Sequence, residues 1–429
     1  MRFSDLTGRR VVIWGHGTEG SAVAERCREL GIDHVVALPD ESDAGATALR
    51  GADVVVKSPG VPVTAPLYVE LVAAGTTFTS LTDLWLSEHA ATTIGVTGSK
   101  GKSTTASAIG HILAATGWTA DVLGNIGRHV LERSDDNRVA VLEVSSYQAQ
   151  SISVSPRVAV VTSLFPEHLP WHGSVERYYA DKLRMVEFAP GHVVVPGDDE
   201  RVLALVRDRV DPASQLHVTG PETLYADPRG SIVWPGVGDL AAVDLRVRGA
   251  HNARNLALAL LAADVWSVGS SDLRANMLAS LCTFSALEHR MEQIPSSDGR
   301  TWIDDGLATA PEAVVAALQA WAEDGVALIF GGADRGLDLA PLAAYLTTRP
   351  RAVDLLLIGP AGARFAAEHG DAVAPHRCRT FGSLAEAVGW ATSAANPARV
   401  VLMSPGAPSF DEFPDYRARS AALRSMVAP

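Results

Sequence analysis

Gly95-Val96-Thr97-Gly98-Ser99-Lys100-Gly101-Lys102-Ser103-Thr104-Thr105 decides the fold. The apolar lead Thr92-Thr93-Ile94 enters it. Ala106-Ser107-Ala108-Ile109-Gly110-His111-Ile112-Leu113 leaves it with the composition of a helix. Strand, glycine loop and helix in that order make a phosphate-binding loop. The loop amides point inward and the helix start adds positive potential, so a polyphosphate can sit there without water. Lys102 then reaches the outer phosphates, and Ser103 offers a hydroxyl to a divalent cation. The spacing Gly98-x-x-Gly101-Lys102-Ser103 is two residues tighter than the usual gap between the glycines. A plain glycine turn would not call for Gly-Lys-Ser-Thr-Thr at a helix start.

Downstream, Gly124-Asn125-Ile126-Gly127 is a turn that presents an amide side chain. Val139 to Val144 is an apolar strand interrupted by Glu143. An acid in such a strand is costly unless it meets a cation, so Glu143 is expected to be a metal ligand. Val158-Ala159-Val160-Val161-Thr162 is the next strand, and it delivers Pro166-Glu167-His168-Leu169-Pro170-Trp171-His172-Gly173. Ser174 caps the following helix, which carries Lys182. His251-Asn252-Ala253-Arg254-Asn255 opens an Ala/Leu-rich helix, and Glu288-His289-Arg290-Met291-Glu292 closes the domain.

Upstream, the N-terminus is expected to run straight into a strand. Arg10-Val11-Val12-Ile13-Trp14 is followed by Gly15-His16-Gly17-Thr18-Glu19-Gly20 and a helix from Ser21. This is a dinucleotide-type turn, weak by itself; Asp40, about 20 residues on, has the spacing of a ribose partner, but Pro39 precedes it and the sequence does not define the strand end there. Asp53-Val54-Val55-Val56 leads into the rigid loop Lys57-Ser58-Pro59-Gly60-Val61-Pro62. Beyond residue 292, apolar strands again end in polar or glycine loops: Trp302 to Asp305, Val326 to Phe330, Asp354 to Ile358 and Arg399 to Met403. Their pattern predicts a third parallel α/β domain. The expected architecture is α/β in three domains. Residues 1–88 form a Rossmann-like domain, 89–292 a central parallel sheet of the phosphate-loop ATPase type, and 293–429 a second Rossmann-like domain.

The 429 residues carry a net charge of −13, which argues against nucleic acid, and no apolar run approaches a membrane span. Cys27, Cys282 and Cys378 have no metal or disulfide spacing, which suits a reducing cytoplasm. The chain has only four lysines, Lys57, Lys100, Lys102 and Lys182; every other basic residue is arginine. Positions that keep lysine are enriched for those needing a compact ammonium or a reactive amine.

Taken together, these motifs resemble the Mur ligases, the ATP-dependent amide-forming enzymes of peptidoglycan synthesis, over essentially the whole chain. Within that family the resemblance is to the glutamate-adding type. It rests on the short N-terminal domain and the tail Ser404-Pro405-Gly406-Ala407-Pro408-Ser409-Phe410-Asp411-Glu412-Phe413. The resemblance implies that ATP phosphorylates the carboxylate of UDP-N-acetylmuramoyl-L-alanine and that glutamate attacks the acyl phosphate. It places Lys102, Lys182, His168 and Glu143 in catalysis. It places Gly98, Ser99, Lys100, Gly101, Lys102, Ser103, Thr104, Asn255, Arg290 and Asp305 at ATP, between the second and third domains. Gly17, Thr18, Glu19, Ser58, Pro59, Gly60, Asn125, Ser145 and Gln148 fall to the UDP-sugar, and Thr309, Arg335, Ser409 and Tyr416 to the amino acid. Two Mg²⁺ sites are implied, one on Ser103 and Glu143 and one on His168 and a carbamylated Lys182. A cytoplasmic monomer acting on small molecules is expected.

Three departures from the family pattern stand out. Pro170 replaces an acidic residue, Leu307 replaces a lysine of the D-glutamate-adding enzymes, and Arg335 replaces another. The last two lie in the implied amino-acid site, and with the resemblance of the Gly17–Gly20 turn, the Ser99–Ser103 loop and Asp334-Arg335-Gly336 to the L-glutamate-adding branch they favour L-glutamate over D-glutamate. Other classes fit less well. A folylpolyglutamate synthase lacks the N-terminal glycine-turn domain, and a nicotinamide-dependent oxidoreductase leaves the Lys102 loop unexplained. A non-catalytic nucleotide-binding scaffold would need a damaged second metal site.

Overall fold

The computed structural model describes residues 1–428 except 39–42, 127, 134–136, 189, 269–270 and 286. The side chains of residues 43 and 271 are likewise not described. Asp40 and Gly127, singled out in the sequence, therefore lie outside the described residues.

The first sheet has four parallel strands in the order His34–Ala37, Val11–Trp14, Val54–Lys57 and Thr77–Thr79. The N-terminus does not enter it directly. A 3-10 turn, Phe3–Leu6, comes first, because Asp5 accepts from the Arg2 amide (2.8 Å) while Phe3 and Leu6 are buried. The helix Thr18–Glu29 starts three residues before Ser21, directly after Gly17.

The second sheet has six parallel strands in the order Gln215–Val218, His192–Val195, Val158–Val161, Thr93–Thr97, Val139–Glu143 and Ala120–Gly124. Thr93–Thr97 is central, flanked by Val139–Glu143 and Val158–Val161. All five of its residues are buried. Helices cover both faces of such a sheet, which is why its strands are nearly all apolar. Parallel strands end on one edge, so the phosphate loop, Glu143 and the segment after Val161 emerge side by side. A three-stranded antiparallel sheet, Tyr225–Ala226, Ile232–Trp234 and Gly238–Leu240, was not expected from the sequence. Strands of two or three residues are too short to carry a period.

The third sheet is Glu292–Ile294, Thr301–Asp304, Val400–Met403, Val326–Gly331, Val353–Ile358 and Arg377–Phe381. The sequence pattern predicted a parallel sheet, and in this one detail the structure differs. Glu292–Ile294 runs antiparallel to Thr301–Asp304 at its edge, a partly exposed strand reached by a short turn. Two compact units result. One comprises residues 1–226, 232–240 and 254–281, and the other 227–231, 241–253 and 282–428. The first two sheets thus share one unit.

Candidate active site

In the first unit the phosphate loop is enclosed on two sides. Gly98 has φ 146°, and a Cβ there would meet the Thr162 hydroxyl at 2.0 Å. Gly101 has φ 86°, and a Cβ there would meet Asn255 Oδ1 at 2.3 Å. Only glycine fits either place. The helix Lys102–Ala115 follows directly. The loop is tied to the strand end at 162–165. Thr162 Oγ1 donates to the Lys100 carbonyl (2.6 Å), and the Lys100 amide donates to Ser163 Oγ (2.9 Å). Ser99 Oγ accepts from the Phe165 amide (2.9 Å) and shares a 2.7 Å hydrogen bond with the Tyr178 hydroxyl. Ser103 is buried in the first helical turn and Thr104 half-buried beside it. Lys102 Nζ donates to the Ser99 carbonyl at 3.0 Å. Lys100 turns away to pair with Glu167 at 2.6 Å.

Glu143 is 1% exposed at the adjacent strand end. One of its oxygens accepts from Asn125 Nδ2 at 3.3 Å; the other is buried without a partner among the described residues. An unmatched buried carboxylate oxygen beside a phosphate loop fits a hard divalent cation, with the Ser103 hydroxyl as a second oxygen donor. Lys182 is also buried, and its Nζ donates to the Gly98 carbonyl at 2.6 Å. Burial pushes its ammonium well below the usual lysine range, and the neighbouring Lys102 adds to this. His168 has φ 55° and heads the short helix Leu169–His172, its ring 5.0 Å from that of Tyr147. Burial lowers its pKa, which favours the neutral, metal-binding imidazole.

The proposed sugar-nucleotide residues also lie in this unit. Gly17 caps the helix that starts at Thr18. Ser58 Oγ donates to the Gly15 carbonyl at 3.3 Å, and the Pro59 carbonyl accepts from Trp171 Nε1 at 3.1 Å; Gly60 is exposed. Ser145 and Gln148 cap one another, and Gln148 Nε2 donates to Glu19 at 2.6 Å. Their side chains are therefore engaged with protein. Burial raises the pKa of Glu19, whose second carboxylate oxygen has no partner among the described residues. Sequence reasoning missed the buried chain Asp181–His172–Ser146, with contacts of 2.7 and 3.0 Å, and the placement of Lys57. Only the scarcity of lysine signalled the second.

The second unit holds the rest. Thr309 and Arg335 are exposed, Ser409 is buried, and Tyr416 packs its ring 5.5 Å from that of His289. Arg364 clamps Asp334 at 2.7 and 3.0 Å, and Asp334 accepts from the Gly336 amide at 2.9 Å. Arg335 stands at the tip of that turn, 5.7 Å from the exposed ring of Phe410. Leu307 donates its amide to the His289 carbonyl at 3.1 Å. Arg290 is exposed. Asp305 is buried and accepts from Ser404 Oγ (2.6 Å) and the Met291 amide (3.2 Å). Burial pushes its pKa up to about 7. His289, Glu292 and Asp304 converge as a metal trio would, but Arg424 bridges the two carboxylates and supplies the cation.

The fold and these two sites define a class. Residues 96–263 match the Mur ligase middle domain, and residues 289–406 match the Mur ligase glutamate ligase domain. The chain belongs to the Mur ligase family, whose members are ATP-dependent enzymes that form amide bonds. More particularly, it is similar to two proteins named UDP-N-acetylmuramoyl-L-alanine–L-glutamate ligase. The Salinispora tropica protein is 39% identical, with 100% of this chain and 99% of that protein covered. The Xanthomonas axonopodis pv. citri protein is 35% identical, with 100% and 97% covered. Among solved structures, UDP-N-acetylmuramate–alanine ligase MurC from Thermotoga maritima shares the fold with a TM-score of 0.59 at 20% identity, covering 97% of this chain and 99% of that one. Among the described residues no helix is long and apolar enough to cross a membrane.

Proposed function

We propose that this ligase joins L-glutamate to UDP-N-acetylmuramoyl-L-alanine in peptidoglycan synthesis, through an acyl phosphate. The observation that carries the proposal is the unmatched buried oxygen of Glu143 beside the Lys102 loop, in a chain this similar to named glutamate ligases. The functional domains would be 1–88, 89–292 and 293–429. The loop amides and Lys102 would hold the β- and γ-phosphates, with Asn255 alongside; Arg290 and Asp305 are assigned to the nucleotide by resemblance. Ser103 and Glu143 would hold one Mg²⁺, and His168 with a carbamylated Lys182 the other. Bound, these ions neutralise charge on the transferring phosphoryl group.

Lys182 suits carbamylation because its burial favours the neutral amine. That amine adds to CO₂, forming an N–C bond and releasing a proton; the product is an anion that arginine cannot supply. The acceptor carboxylate attacks the γ-phosphorus and ADP leaves. The glutamate amine then attacks the acyl carbon and phosphate leaves. Positioning carries most of such catalysis.

The hand of the glutamate rests on the second unit. Leu307 cannot pair with a carboxylate, and Arg335 offers a planar, bidentate fork on a clamped turn. The names of the two relatives point the same way. Phosphate release from ATP with UDP-N-acetylmuramoyl-L-alanine and each enantiomer in turn tests both parts. Higher kcat/KM with D-glutamate would overturn the stereochemical part, and no acceptor-dependent release would overturn the whole.

A further inference from the structure

Three of the four lysines fall in the catalytic site proposed above; Lys57 does not. It ends the strand Val54–Lys57 and is only 2% exposed. A buried ammonium is costly and is normally matched by a carboxylate. Here Nζ donates to the Val61 carbonyl at 3.1 Å, and no carboxylate is paired with it among the described residues. It sits instead 4.8 Å from the ring centre of Trp171 and 5.9 Å from that of Tyr68. Glu19 and Asp181 are near enough to favour its charge, but burial outweighs them and brings its pKa to about 8.

Two further bonds join the same segments. Trp171 Nε1 donates to the Pro59 carbonyl (3.1 Å), and Thr64 Oγ1 donates to the Pro170 carbonyl (3.1 Å). Residues 57–64 and 170–171 are thus joined by three tethers, and the ammonium is the one that touches both segments from between. Trp171 lies three residues after His168, and its ring packs 4.6 Å from that of Tyr147 and 4.5 Å from that of His172. Arginine, which this chain uses for nearly every other cation, is planar and longer, so a compact ammonium suits a gap between two rings.

We propose that Lys57 is a positioning residue for the acceptor: it locks the Ser58–Val61 turn to the segment carrying His168, so that the UDP-sugar and its reacting carboxylate are held in one register. This rests on the function proposed above and adds to it a residue that the proposed acceptor and metal sites do not include. An acceptor held at the nucleotide end by one segment and at the carboxylate end by the other loses alignment when the segments slide, and small misplacements are expensive in rate.

The test uses K57M, a near-isosteric apolar replacement, with W171F as the second variant. W171F keeps a ring under the ammonium but loses the indole donor. K57M should raise KM for UDP-N-acetylmuramoyl-L-alanine about tenfold. It should also raise the Mg²⁺ concentration for half-maximal turnover, with KM for ATP within about twofold of wild type. W171F should shift the same parameters less, and the double variant should be no worse than K57M alone, since both break one tether system. Folded K57M with acceptor KM and Mg²⁺ dependence unchanged overturns the proposal. A uniform loss in all parameters that tracks a lowered Tm also overturns it, since that is mere structural support. If K57M does not fold, an unchanged acceptor KM in W171F overturns it. Wild-type protein without acceptor-dependent phosphate release removes the proposed function, and this inference with it.

Discussion

The phosphate loop of the first unit and the surface of the second that carries the residues proposed for glutamate are built on opposite plans. At the loop, backbone does the work. Gly98 and Gly101 leave no room for a side chain, and Ser99, Thr162 and Ser163 hold the loop from the strand side. On the other face, Thr309, Arg335 and Phe410 are exposed, Arg335 on a turn that the Arg364–Asp334 pair holds. A backbone cradle suits a ligand that never varies, since every nucleotide presents the same phosphates. Exposed side chains suit a ligand that must be told from near copies, since one substitution re-aims one contact. The departures at Leu307 and Arg335 both lie in the second unit, whereas the Gly101-Lys102-Ser103-Thr104 run of the loop lies in the first.

The largest expected effect comes from breaking the cradle side. K102A should lower kcat about 10³-fold or more, because phosphoryl transfer depends on charge neutralisation at positioned oxygens. Stopped-flow or coupled phosphate release measures it; turnover within tenfold of wild type would remove the loop from catalysis. K182A should fall nearly as far, and short-chain carboxylates should restore part of the activity by standing in for the carbamate. Wild-type activity should also drop when dissolved CO₂ is stripped. An active, CO₂-independent K182A would end the carbamate assignment.

The second unit offers a sharper contrast in pH. Asp305 carries a pKa of about 7 when folded against 3.8 when exposed, so the folded chain binds the extra proton between those values. Its contribution to stability therefore falls as pH rises from about 4 to about 7. Above that, the buried anion costs on the order of 4 kcal/mol relative to the protonated form. Urea denaturation of wild type and D305N across pH 4–8 should show the difference between them changing over this window. Parallel curves would show that Asp305 is accommodated without strain.

Much of this arrangement was legible in the chain. Parallel strands buried on both faces are almost purely apolar, so Thr93–Thr97 and Val326–Gly331 announced themselves, and Glu143 stood out as the acid of a third, Val139–Glu143. What was not legible depends on distant pairing. Nothing in residues 57–64 shows that they meet 170–171, and the antiparallel pairing of Glu292–Ile294 depends on a neighbour strand. The mutual capping of Ser145 and Gln148 was concealed for another reason: their spacing fits a cap and a substrate contact equally well.

A smaller effect is expected at Arg335 itself. R335M should raise KM for glutamate about 10- to 100-fold, the range for losing a charge-assisted hydrogen bond, with KM for ATP unchanged. R335K should recover part of that loss and shift the preference between enantiomers, because a point charge replaces a planar fork. Equal losses with both enantiomers in R335K would mean that Arg335 binds without discriminating.

The smallest effect concerns the ring beside it. Phe410 is 64% exposed. Its ring lies 5.7 Å from the Arg335 guanidinium carbon, close enough to bias the orientation of the fork. An exposed cation–π contact is worth roughly 0.5–1 kcal/mol, so F410A should raise KM for glutamate only about two- to fivefold. F410W should match or improve on wild type, because the larger ring holds the cation better. The comparison turns on coupling. In the R335M background F410A should have no further effect, since there is no cation left to orient. If F410A costs the same in both backgrounds, the ring touches glutamate directly, and the discriminating surface of the second unit is wider than one arginine.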